Sequence, residues 1–498
     1  MQMTATTYQK NVWKLVGITI LVKIVLSVLL ELGNDEVYYY TYALQPDWSH
    51  FDHPPMVGWL IRLSTLNLLW VSTLSMRLGA ILCAAFATLV IFETGTLLKN
   101  EQAGYIASLL YTFSIYTSII AGMFIMPDSP QLLFYTLSIY LMVKWLKKPH
   151  LFKTSDYLFL GLFIGLAVLS KVHGMFLWFG WGLFILLFHR KTLSDKRLYF
   201  AALVTVICLV PILYWNIQND FITYKYHSNR VTHTGIDFNS FLSEIIGEIV
   251  YQNPLVYIAV LIPVARFKKL KQSIGIESLQ LLLLLSLPIL LVFWGLSLFN
   301  PTLPHWTGPA FIALMLLAGV YWSSYSNVMV PKLVQGAMGF IFFAIIGFVT
   351  LVYIYPVQLG STQEKNLGEY NPINDVTGWE ICATAFETLR RQDLKAGTMK
   401  ATDPFLVQKW FPGGHILFYV ARPLHMPVIG LGLITDLHKF VWLNKQFPTM
   451  PLGSNAYTIV PSNLPIDIDD AYAEFFTSID TAAVIPVQKN GVVLRKFY

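Results

Sequence analysis

Over the first 355 residues, apolar runs close to 20 residues long alternate with short polar stretches. That is the length an α-helix needs to cross a hydrocarbon layer roughly 30 Å thick. The runs lie near 12–30, 76–97, 104–122, 131–146, 157–170, 174–188, 198–215, 249–265, 278–298, 307–322 and 331–354, which predicts about eleven spans. The polar SKVHG divides the region 157–188 into two shorter spans that meet at a membrane face. From about residue 356 the polarity is ordinary. GWEICATAFETLRR (378–391) has helical spacing, while LVQKWF, HILFYV, AYTIV and VVLRKFY contain short strand-like runs. FPGGH and MPLGSN punctuate them. The pattern therefore predicts a polytopic α-helical membrane domain over 1–355, with a first outer loop at 31–75. A small extracytoplasmic α/β domain is expected over 356–498.

Composition strengthens the membrane reading. The chain is 55% hydrophobic and 12% charged, with mean hydropathy +0.56, against roughly 25% charged residues in a soluble protein. The first apolar run contains Lys14 and Lys23 and lacks a small-residue cleavage site, so it reads as a retained helix rather than a leader. The net charge of +6 lies in short loops between apolar runs, which excludes a nucleic-acid-binding face. Cys83, Cys208 and Cys382 are too scattered for a disulfide framework or a metal motif.

The basic loops fix an orientation. KWLKKPHLFK (144–153), HRKTLSDKR (189–197) and ARFKKLKQ (265–272) carry four Lys or Arg each. With eleven spans all three fall on one side, the cytoplasmic one. Residues 31–75, 123–130, 170–174, 216–248 and 299–306 then face the other side. That partition used only hydropathy and basic residues. It still gathers Asp35, Glu36, Asp52, His53, Asp128, Lys171, His173, Asn216, His227, Arg230, His233 and His305 on one face, as one composite site would require.

Several of these residues suit group transfer at a membrane surface. Asp35 and Glu36 directly follow a span and precede VYYY, whose rings suit an interfacial helix. A carboxylate held partly out of water is placed to act as a general base toward a hydroxyl, with Glu36 orienting it or binding the acceptor; the competing reading is a solvated loop start. In DHPPM (52–56) the prolines make a rigid elbow, and His53 on it could meet a phosphate or a sugar hydroxyl. His50, Asp52 and His53 match no standard metal spacing. Asp128 in MPDSP is either a turn residue or a second carboxylate for a sugar hydroxyl or amino group. Lys171 in LSKVHG lies at membrane depth, where a lipid phosphate is its natural counter-ion and snorkelling is the alternative. Arg230, with Arg62 and Arg77, could join it in neutralising a departing phosphate. His173, His305 and Trp306 complete the candidate substrate-binding residues, the last two on the proline-rich elbow NPTLPHWTGP (300–309). No Gly-rich phosphate loop, Ser-His-Asp arrangement or HExxH motif is present.

DEVYYYTYALQPDWSHFDHPPMVGWLIRL, MRLGA, MPDSP, LSKVHGM, WNIQNDF and HWTGPAF occur in this order over about residues 30–320. The series resembles bacterial membrane glycosyltransferases of the GT-C superfamily, in the branch of the dolichyl-phosphate-mannose-protein mannosyltransferases and the lipid A aminoarabinose transferase. The resemblance implies a helical bundle with an outer soluble domain. It implies transfer of a sugar, with inversion, from a polyprenyl-phosphate donor to a lipid, protein or glycan acceptor on the outer side of the inner membrane. It assigns Asp35 the first-loop catalytic acid, Asp128 a second acidic position and Lys171 a phosphate contact. No cofactor is implied as certain, and a divalent cation stays compatible with the acidic residues. The tail differs too much from any one member to fix the acceptor. The alternative weighed against transfer is a transporter or flippase for lipid-linked sugars; no internal repeat supports it, and the polar residues gather at one face rather than at the midplane. A non-catalytic scaffold would leave the acid pair and the buried lysine without a purpose.

Overall fold

The computed structural model describes residues 6–229, 235–354, 357–447 and 450–498. Its helices are α1 (Thr7–Leu29), α2 (Asn34–Leu44), α3 (Met56–Ser64), α4 (Thr73–Leu98), α5 (Glu101–Phe113), α6 (Asp128–Lys147), α7 (Thr154–Ser170), α8 (Met175–Phe188), α9 (Lys196–Gln218), α10 (Ile222–Asn229), α11 (Phe238–Tyr251), α12 (Pro254–Ala265), α13 (Phe267–Ile274), α14 (Ile276–Ser297), α15 (Ala310–Tyr325), α16 (Lys332–Tyr353) and α17 (Trp379–Ala396). The chain is a polytopic helical membrane protein. Among the described residues five helices (α1, α4, α9, α14 and α16) are long and apolar enough to cross a bilayer alone. The pair α11–α12 makes a sixth if its 102° bend is counted as one broken span. A helix rises 1.5 Å per residue, so the apolar α7, α8 and α15 fall short of roughly 30 Å.

One expected division is found and two expected spans are interrupted. The 157–188 region is two helices, parted at Lys171–Gly174 as the sequence suggests. The run 104–122 is broken: α5 stops at Phe113 and a wide π-turn occupies Tyr116–Ile120. The hydroxyl of Thr117 bonds the Tyr111 carbonyl and that of Ser114 bonds Gln252 Oε1 (2.9 Å), so side chains draw the backbone out of register. In 249–265 the break falls at Asn253, which has φ +67° and is followed by Pro254. Its amide satisfies the carbonyls of Phe113 (2.9 Å) and Ala337 (3.0 Å).

Contacts divide the chain into two compact units. The first takes the chain up to Val25, Asp47–Ser64 and Arg77–Phe343. Its tightest helix pair is α7 on α9, where a Cβ on Gly161 would lie 2.1 Å from the Ala201 carbonyl oxygen and one on Gly165 would lie 2.6 Å from the Cys208 Cβ. Small residues let these backbones touch, and Thr205 Oγ1 donates to the Gly161 carbonyl across the seam (2.7 Å). In α11 the usual amphipathic order is reversed: Phe238, Leu242, Ile246 and Val250 are exposed while Glu244 and Glu248 are buried. That is the pattern of a helix whose outer face meets lipid.

The second unit takes Leu26–Pro46, Thr65–Met76 and Ala344–Tyr498. Besides α17 and α18 (Trp410–His415) it holds two small sheets. One pairs β1 (Phe405–Val407) and β2 (Val428–Gly430) in parallel; the other pairs β3 (Ile485–Lys489) and β4 (Val492–Phe497) antiparallel. Of the strand-like runs, two are not strands: Ile416–Ala421 in HILFYV forms a second π-turn that is buried throughout, and AYTIV makes only an isolated bridge, from Tyr457 to Phe405. A continuous apolar run fits a buried helix as well as a strand. The VYYY aromatics expected at the membrane interface are instead interior. Tyr38, Tyr39, Tyr40 and Tyr42 are buried, with Tyr38 against Trp410 (5.2 Å between ring centres) and Tyr40 against Phe418 (5.1 Å).

Candidate functional site

In the first unit the centre of the polar cluster is a buried ion pair. Asp128 opens α6, where a carboxylate suits the positive end of the helix. Lys171 ends α7 in extended geometry, its backbone directed by the α7 C-terminus. The ammonium nitrogen stands 3.0 and 2.9 Å from the two Asp128 oxygens. Tyr116, delivered by the π-turn, donates to Oδ1 at 2.7 Å, and Gln131 Nε2 donates to the Lys171 carbonyl at 3.1 Å. Asp128 and Lys171 are both buried, so each depends on the other for its charge. Nothing in the hydropathy pattern singles out Tyr116, which sits inside an apparent span.

Histidines and aromatics stand around this pair. His173 lies against Phe293 (4.9 Å) and Trp306 (6.2 Å), and those two rings meet at 5.6 Å. His305 is stacked beside Tyr251 of α11 (6.4 Å). Burial lowers the His305 imidazole to about 3, with Lys171 next in effect. His53 is lowered to about 4, again mainly by burial, so both rings are neutral at pH 7. The elbow that carries His53 is tied down: His50 N–H donates to the His53 carbonyl (3.1 Å), Thr223 Oγ1 to the His50 carbonyl (3.2 Å), and Trp215 Nε1 to Asp47 Oδ2 (2.8 Å). His227 Nε2 lies 3.0 Å from the Asp52 carbonyl oxygen. Arg77 is fully buried with its guanidinium over the Phe124 ring (5.2 Å). Arg62 is partly buried in the last turn of α3. Arg230 and His233 lie outside the described residues.

Two further carboxylates escaped the sequence reading. Glu248 accepts from Tyr257 (3.0 Å) and Trp294 Nε1 (3.1 Å), and Glu244 accepts from Thr302 (2.7 Å). Glu244 binds α11 to the elbow that bears His305 and Trp306, and Glu248 binds it to α12 and α14. Their spacing of four residues, in a helix otherwise apolar, is the signal that would have found them.

In the second unit, Asp35 is exposed in the first turn of α2. Glu36 is buried, and its Oε2 accepts the Gly33 N–H at 2.8 Å, capping its own helix. Ahead of them, Glu31 accepts the N–H groups of Gly378 (2.9 Å), Trp379 (2.8 Å) and Glu380 (3.3 Å) at the start of α17. Asn34 donates to Asp375 Oδ1 (3.2 Å) and meets His415 Nε2 at 2.9 Å through its Oδ1. His415 lies flat on Trp379, 4.6 Å between ring centres. Among the described residues, no three His, Cys, Asp or Glu side chains converge as a metal-holding group.

Comparison with known proteins places this architecture. The chain is similar to membrane glycosyltransferases of the kind its motifs resemble. Residues 52–215 match the family model of dolichyl-phosphate-mannose-protein mannosyltransferases, a segment that includes His53, Asp128 and Lys171 and stops short of Asp35. The chain shares its fold with ArnT from Cupriavidus metallidurans. The apo crystal structure superimposes with a TM-score of 0.63 at 15% identity, covering 99% of this chain and 98% of that one. ArnT bound to undecaprenyl phosphate gives 0.62 at 16% identity, covering 98% and 97%. Lipid A galacturonosyltransferase RgtD of Rhizobium johnstonii is 23% identical over 292 residues. That similarity spans 57% of this chain and 59% of the relative.

Proposed function

We propose that the protein is a glycosyltransferase of a bacterial inner membrane. It moves a sugar from a polyprenyl-phosphate donor to an acceptor on the extracytoplasmic face, with inversion, and the tail from about residue 356 forms part of that outer face. The observation that carries the reading is the fold shared with ArnT over nearly the whole chain, one form of which holds undecaprenyl phosphate. The buried Asp128–Lys171 pair on the matched segment supports it.

In this reading Asp35 takes the proton of an acceptor hydroxyl as its oxygen attacks the anomeric carbon opposite the phosphate. The bond from that carbon to the phosphate oxygen breaks, and the lipid phosphate leaves with the electron pair. Lys171, balanced by Asp128 at rest, neutralises the departing phosphate. His53, His173, His305 and Trp306, with Arg62, Arg77 and Arg230, bind donor and acceptor. Undecaprenyl-phosphate galacturonate and lipid A are the first donor and acceptor to offer, because the relative RgtD acts on lipid A with that sugar type.

The test is transfer by the purified full chain, followed by mass spectrometry of the acceptor. Asp35→Asn is expected to lose about 10²–10⁴-fold in kcat, the usual worth of general-base catalysis. Full activity in that variant would overturn the role of Asp35. Movement of the donor across liposomes without conversion would favour a flippase.

A further inference from the structure

Of residues 31–34, which lead into Asp35, Glu31, Leu32 and Asn34 are bonded to the tail of the chain and Gly33 to the α2 that follows it. The Glu31 N–H donates to the Val376 carbonyl (3.1 Å) while its carboxylate holds the start of α17. The Leu32 N–H donates to the Tyr419 hydroxyl (2.5 Å). Gly33 is held by Glu36. Asn34 stands between Asp375 and His415. A loop leaving a membrane span ordinarily keeps slack, but these four residues have none.

The Asn34 pairings are also directional. Asp375 carries a carboxylate, which accepts, so the Asn34 amide nitrogen donates to it. Asn34 Oδ1 must then accept, which puts the proton of His415 on Nε2. His415 Nδ1 has no hydrogen-bond partner among the described residues and is buried. Trp379 covers one face of the ring and Tyr419 stacks at 6.0 Å. The ring is therefore held neutral, in one tautomer, with a single donor aimed at Asn34.

We infer that His415 and Asp375, acting through Asn34, are positioning residues for Asp35. The tail from Asp375 to Tyr419 thus sets the geometry of the catalytic turn of α2, beyond any part it has in acceptor recognition. This inference rests on the proposed role of Asp35. An error of about 1 Å at a reacting group can cost 10²-fold in rate while leaving ground-state binding intact, so the effect belongs in kcat.

The test uses the full-length protein in detergent, with undecaprenyl-phosphate galacturonate and lipid A. Binding of undecaprenyl phosphate is measured in parallel. His415→Ala and Asn34→Ala are expected to lower kcat at least tenfold, with donor KM and undecaprenyl-phosphate affinity within twofold of the parent. His415→Gln, whose amide can still donate to Asn34, is expected to recover most of kcat. Should His415→Ala fail to fold, Asn34→Ala decides alone, because Asn34 is only partly buried. An unchanged kcat in Asn34→Ala, or His415→Gln as impaired as His415→Ala, would overturn the inference. A parent protein that transfers no sugar would instead overturn the proposed function.

Discussion

At the scale of single residues, the Asp128–Lys171 pair shows how a charge is kept at membrane depth. Removing one partner leaves an uncompensated buried ion, which costs about 3–5 kcal/mol, whereas replacing both by apolar groups of similar volume can be close to neutral. Lys171→Met and Asp128→Leu are each expected to lower the melting temperature in detergent strongly, and the double variant less than the two added. Strict additivity would show that the pair is not coupled. His415 gives a pH dependence. Burial, with Arg495 next, holds its pKa well below the usual histidine value. The folded protein thus refuses a proton that the unfolded chain accepts at about pH 6.5. This stability is fully present above pH 6.5 and is lost as pH falls below it, by up to about 1.4 kcal/mol per pH unit until the folded pKa is reached. His415→Gln should accordingly show a flatter fall in melting temperature between pH 7 and 5 than the parent.

At the scale of elements, hydropathy located every long apolar helix because lipid rewards the same property along a whole span. It located the break at Lys171–Gly174 but not the other two interruptions. The π-turn at Tyr116–Ile120 and the bend at Asn253 arise from hydroxyl and amide groups that satisfy particular carbonyls, and a sliding average of hydrophobicity is blind to these. The π-turn delivers Tyr116 to Asp128, so this part of the buried cluster sits where the pattern fails. The α7–α9 seam makes the opposite case, since two glycines at a spacing of four residues are visible in the sequence. Gly161→Leu is expected to force these helices apart and destabilise the protein by more than the 1–3 kcal/mol of ordinary overpacking, because the obstructing atom is backbone. Circular dichroism melts would check it; a change below about 1 kcal/mol would mean that the seam relaxes freely.

At the scale of the whole molecule, Asp35 and Asp128 were legible as polar outliers on one predicted face. The framework of Asp35 was not, because its partners lie far along the chain: Asn34 and His415 are 381 residues apart. No local periodicity records such a pairing. The chain instead builds its second unit from Leu26–Pro46, Thr65–Met76 and Ala344–Tyr498. Truncation after residue 354 is therefore expected to abolish transfer to every acceptor rather than to alter acceptor choice. Activity assays over several lipid and glycan acceptors would reveal either outcome.

The bonds from Glu31 to the start of α17 have a consequence for timing. Synthesis proceeds at roughly 5–20 residues per second, and 348 residues separate Glu31 from Trp379. Residues 31–34 therefore wait on the order of 20–70 seconds after their own synthesis before their partners exist. Throughout that interval the turn bearing Asp35 lacks its frame while its span is already in the bilayer. On the proposed function, chains interrupted during production would lack that frame and transfer no sugar, a safeguard set by the order in which the polypeptide is made.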